Sequence, residues 1–116
     1  MRHQKRGRIL KRKKGPRRAL LRILAKELIL HGKIKTTEGK AKELKRYFDR
    51  LVRTAQKDSL ASKRKLFGEL KDRAVVNKLT KELKEQLKKR KSGHTRITKL
   101  GQRKGDRAPI VQIEII

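Results

Sequence analysis

Apolar residues recur along this chain at steps of three and four, and then, near its end, at steps of two. From Pro16 onward, Leu20, Leu24 and Leu28, with Leu21 and Ile23, draw a stripe at helical spacing. Pro16 suits the first turn of that helix, and His31-Gly32 ends it, since Gly is favoured just past a helix C-terminus. Lys33-Ile-Lys-Thr36 is short and β-branched and reads as a strand. Thr37 is placed to cap a second helix with Ala41, Leu44, Phe48, Leu51, Val52 and Ala55 inward. Glu38 with Lys42, and Asp49 with Arg53, are favourable i,i+4 pairs on its surface. Asp58-Ser59 restarts a shorter helix through Leu60, Leu66, Phe67 and Leu70. Asp72 caps a last one, with Val75, Val76, Leu79, Leu83 and Leu87 inward. After Lys91-Ser-Gly93 the period becomes two. Thr95 to Leu100 and Ala108 to Ile115 read as strands around a loop, Gly101 to Arg107. Val111, Ile113 and Ile115 share one face of the last strand, Gln112 and Glu114 the other.

The first sixteen residues have almost nothing to bury, and Gly7, Gly15 and Pro16 discourage a continuous helix there. The pattern therefore predicts an extended basic arm over 1–16 and one domain over 17–116. The domain order is α-β-α-α-α-β-β. Its simplest packing is a two-layer α/β (α+β) fold, with the helices on one side of a small mixed sheet.

Composition changes the picture in one respect. The 116 residues hold 38 Lys and Arg against 11 Asp and Glu, a formal net charge of +27. Ten of the basic residues fall in 1–18, which contain no acid. Such a charge repels itself unless a polyanion neutralises it, and nucleic acid repays neutralisation by releasing condensed counterions. The excess is spread over the whole chain, which suits a protein embedded in nucleic acid on several sides. The arm reads as a segment that orders along a phosphate backbone. The charge reading places contacts at Arg6, Lys11, Arg12, Lys13 and Lys14 in the arm, Arg17, Arg18 and Arg22 in the first helix, and Arg103 and Lys104 in the hairpin loop. The chain has no Cys, which removes disulfides and thiolate chemistry. The apolar-rich stretch Ala19 to Leu30 is too short to span a bilayer and is interrupted by Arg22, Lys26 and Glu27.

Catalytic chemistry finds no support. His3, His31 and His94 have no cooperating ligand spacing and read as solvated, so neither metal nor cofactor is expected. Most of the eleven carboxylates sit at helical distances from Lys or Arg, as surface helix charges do. Gly101-Gln-Arg-Lys-Gly105 lacks the Lys-Ser/Thr of a phosphate-binding loop. Tyr47, Phe48 and Phe67 are the only aromatics, and Phe48 and Phe67 read as core, leaving no platform for base stacking. Recognition would then rest on phosphates, sugars and shape. No helix has the concentrated basic face of a duplex-DNA reader, whereas structured RNA has cavities that a thin basic arm can enter. A nucleoid-type DNA-compacting protein is the alternative. A mitochondrial or membrane-surface peptide is a third class, disfavoured because the arm contains no Ser.

Three segments carry a family resemblance. They are Met1-Arg-His-Gln-Lys-Arg-Gly-Arg-Ile-Leu10, Ile34-Lys-Thr-Thr-Glu-Gly-Lys-Ala-Lys-Glu-Leu44, and the end from Gly93-His-Thr-Arg-Ile-Thr-Lys99 through Arg103-Lys-Gly-Asp-Arg-Ala-Pro109 to Ile113-Glu114. In this order, and at this chain length, they resemble the bacterial large-subunit ribosomal protein number seventeen. The resemblance implies a two-layer α/β fold. It implies a structural, non-enzymatic role on 23S rRNA near the polypeptide exit tunnel, beside other ribosomal proteins. It also implies a cytoplasmic ribosomal location, one copy per ribosome rather than a homo-oligomer, and neither membrane nor small-molecule substrate as partner. Carried over by motif, it places RNA contacts at Arg2, His3, Lys5 and Arg8, at Thr36, Thr37 and Lys40, and at Arg96 and Lys99. Thr36, Thr37 and the helix N-terminus behind them are also where a phosphate is physically favoured.

Overall fold

The computed structural model describes residues 14–116, with side chains from Arg17 onward. Its elements are α1 (Lys14–His31), β1 (Lys33–Thr37), α2 (Glu38–Gln56), α3 (Leu60–Leu70), α4 (Arg73–Asn77), a π-helical turn (Lys78–Glu82), α5 (Lys84–Lys88), β2 (Thr95–Gln102) and β3 (Pro109–Ile115). Residues 1–13 of the expected arm lie outside the described residues. Helix α1 starts at Lys14, two residues before Pro16, so the proline falls in the first turn, where its missing N–H costs nothing.

Gly32 stops α1 as the sequence predicts. It sits at φ 82°, and its N–H returns to the Leu28 carbonyl at 2.7 Å. The inward stripe of α1 is Leu21, Ala25, Leu28 and Ile29. Ile23, expected inward, is 58% exposed. The run is apolar on more than one face, and packing against α2 selected which face is buried.

Helix α2 is the centre of the body, burying Ala41, Leu44, Tyr47, Phe48, Leu51 and Val52 between the other helices and the sheet. Its Glu38–Lys42 pair forms at 3.5 Å. Asp49 instead accepts from the His94 backbone N–H at 3.3 Å. His94, expected in solvent, is thereby drawn under α2 to 2% exposure, and its carbonyl accepts from the Ile116 N–H. The Tyr47 hydroxyl donates to Glu69 at 2.6 Å. Burial, together with that carboxylate, pushes the hydroxyl's pKa up, so it stays a neutral donor tying α2 to α3.

Ser59 caps α3 with a reciprocal box to Ser62, and Asp72 caps α4 through the Val75 N–H at 3.2 Å. The last predicted helix is broken by the π-helical turn. In a regular helix Leu79 and Leu87 would stand about 80° apart around the axis. One extra residue in the turn removes most of that offset, and both leucines are buried. The Thr80 hydroxyl, donating to the Val76 carbonyl at 2.8 Å, occupies the loosened ladder.

The strands form one sheet of order β1-β3-β2. Both pairings are antiparallel, so the sheet is not mixed as expected. The helical connection does leave β1 and β2 running the same way, as crossovers tend to. The hairpin return strand β3 takes the slot between them, however, and no parallel pair is hydrogen-bonded. Val111, Ile113 and Ile115 face the helices and are buried, which settles the register of the central strand.

Candidate nucleic-acid interface

The register gathers one part of the predicted site. Thr36 on β1 and Lys99 on β2 both lie opposite Val111, from either side. Thr37 and Gly101 likewise flank Ile110. With strands about 4.8 Å apart, the start of α2 and the distal half of β2 share one end of the sheet. Thr37 stands at the N-cap of α2 but makes no capping side-chain hydrogen bond, contrary to expectation. The turn from extended to helical backbone at Thr37 thus leaves its hydroxyl free beside the first N–H groups of α2. Those donors favour an anion. Lys40 lies half-buried within the same first turn.

Beyond this end projects the hairpin. A register shift between Lys99 and Gly101 marks a bulge, where Gly101 takes φ 138°. At the tip, Arg103 Nε donates to Asp106 Oδ1 at 3.1 Å, and the Ala108 N–H donates to the same oxygen. The Arg103 guanidinium, with that N–H, holds the Asp106 carboxyl down to about 2 from an ordinary 3.8. Arg103 therefore spends its charge on ordering the loop, while Lys104 and Arg107 stay exposed at its tip. Because the folded pKa is depressed, the pairing is present above pH 3.8 and is lost as pH falls through about 2. A carbon-detected NMR titration should give an Asp106 midpoint near 2, and Arg103→Ala should return it toward 3.8.

The remaining predicted residues lie elsewhere. Arg96 pairs with Glu114 at 3.9 Å on the opposite end of the sheet. Arg22 donates to the Glu69 carbonyl at 2.6 Å and pins α1 to α3. Arg18 borders a crevice of about 180 Å³ with Tyr47, Arg50 and Lys65, and Arg17 is half-buried on α1. Lys14 opens α1. Arg2, His3, Lys5, Arg6, Arg8, Lys11, Arg12 and Lys13 are outside the described residues.

The sequence reading missed the outer face of the sheet. Lys33, Glu114 and Arg96 form one row across it, and Lys35, Gln112 and Thr98 the next. Lys33, Lys35, Arg96 and Thr98 are exposed, while the helices cover the other face. The alternation Lys33-Ile-Lys35 was the available signal. Cations on both edge strands also discourage strand pairing between copies.

Seven ion pairs form among the described residues, against 30 Lys and Arg from Arg17 onward. The surplus lies on the sheet face, the hairpin and the helices of a body measuring 45 × 35 × 24 Å. Among the described residues no cluster of His, Cys, Asp or Glu could hold a metal ion, and no helix is long and apolar enough to cross a membrane. A family profile for ribosomal protein L17 matches residues 20–116. A curated relative from Rubrobacter xylanophilus, named large ribosomal subunit protein bL17, is 48% identical over 116 residues, covering 100% of this chain and 96% of the relative. Profile match and full-length similarity together show that the chain belongs to the ribosomal protein L17 family.

Proposed function

We propose that this protein is a structural constituent of the large ribosomal subunit that binds and bridges 23S rRNA near the polypeptide exit tunnel, one copy per ribosome, beside neighbouring ribosomal proteins. The observation that carries this reading is the similarity over the full length to a relative named for that subunit. The spread of unpaired cations over several faces supplies the physics: each face neutralises phosphates of a different rRNA segment, and their mutual repulsion falls. In this reading the sheet end formed by Thr36, Thr37, Lys40 and Lys99 receives one backbone segment. The hairpin and the exposed sheet face with Lys33, Lys35 and Arg96 meet others, and the seven cations before Lys14 neutralise phosphates between them. The role is scaffolding, with no bond made or broken.

Sedimentation of a native lysate through sucrose at about 0.5 M salt tests it, since such salt strips binders held only by counterion release. The protein should travel with the large subunit in equimolar amount. Recovery at the top of the gradient, or with DNA, would replace this reading with the nucleoid one.

A further inference from the structure

Phe67 was expected in the core, yet it is 47% exposed. Helix α3 turns Ser62, Leu66 and Leu70 inward. Leu60, Lys63, Arg64 and Phe67 stand at i, i+3, i+4 and i+7 and so share its outer stripe. Arg73 and Val76 of α4 complete a groove of about 410 Å³ against that stripe. The Arg73 guanidinium lies 6.0 Å from the centre of the Phe67 ring, within cation–π range. Leu60 is 66% exposed at one side, and Asn77 borders the groove with an amide that both donates and accepts.

The charge around this groove has one sign. Its cations are Lys63, Arg64 and Arg73, and no acid lines it. The acids of the surrounding segments are engaged elsewhere: Asp58 with Lys84 at 3.3 Å, Glu69 with Tyr47, and Asp72 with Lys26 at 3.6 Å. An occupant must therefore offer a flat apolar surface and carry negative charge close beside it. An unpaired nucleobase meets both demands, its ring stacking on Phe67 and Arg73 and its flanking phosphates meeting Lys63 and Arg64. We infer that the Phe67–Arg73 groove is a stacking site for a splayed-out base of an RNA strand. This rests on the RNA-binding reading above and adds to it a contact with a base in a protein otherwise suited to backbone and shape.

The chain has no Trp, so Phe67→Trp places a single indole in the groove of the full-length protein. Oligoadenylate should quench that indole strongly as it binds, while heparin, a polyanion without bases, should bind and leave it bright. Phe67→Leu keeps apolar bulk but removes the ring, and should weaken oligoadenylate binding about tenfold with heparin affinity and thermal midpoint unchanged. Saturable oligoadenylate binding, followed by anisotropy, without quenching would overturn the stacking site and leave the RNA reading standing. Absence of oligoadenylate binding altogether would sink both. An acidic Leu/Glu amphipathic peptide that shifts the indole emission where oligoadenylate does not would assign the groove to a protein partner instead.

Discussion

Phe48→Ala should leave the isolated protein largely unfolded at low ionic strength. Phe48 is fully buried at the middle of α2, where the helix meets both the other helices and the sheet. Removing a buried phenyl ring costs about 3–5 kcal/mol through lost transfer energy and an unfilled cavity. A domain of this size begins with a margin of about 5–15 kcal/mol. This one begins low, because a net charge of +27 repels itself in the compact state. Circular dichroism against temperature should show the loss of most helical signal. Adding sulfate, which screens the charge and strengthens apolar burial, should restore part of it. Ile23→Ala supplies the contrast: that side chain is 58% exposed, and its removal should move stability by less than about 0.5 kcal/mol. Equal effects at the two sites would mean that the core is not centred on α2.

The difference between these two residues also shows how far the sequence could be read. Phe48 belongs to a helix whose apolar positions form one stripe, so period alone placed it inward. Ile23 lies in a run that is apolar nearly all round, and Phe67 in a short helix with apolar residues on two faces. There the buried side is chosen by whatever packs against it, which local pattern does not contain. The end points of elements were legible wherever one residue type has a mechanical reason to be there: Gly32 at positive φ, Ser59 and Asp72 as caps. The antiparallel sheet was not, because the slot taken by β3 depends on a return from the far edge of the sheet. For the candidate interface, charge identified the residue types. Their grouping had to wait for register, which puts Thr36 and Lys99 on either side of Val111 and sends Arg96 to the other end.

The largest functional effect should come from the arm. Residues 2–13 contain seven Lys and Arg, no acid and only two large apolar residues, Ile9 and Leu10, so their sequence offers little to a core. Deleting them should therefore leave the thermal midpoint of the body unchanged or slightly raised, as self-repulsion falls. Affinity for 23S rRNA should drop steeply. If each of the seven cations neutralises one phosphate, the slope of log affinity against log salt should become shallower by about six. The loss would then be severe in dilute salt and would narrow as salt rises, because the intact protein loses its counterion-release advantage faster than the shortened one. Filter binding across a salt series on both proteins measures the two slopes directly. Parallel lines with a constant offset would mean that the arm acts through shape or base contacts and not through phosphates. Superimposed lines would remove it from the interface, leaving the sheet end, the hairpin and the helical body to carry the binding.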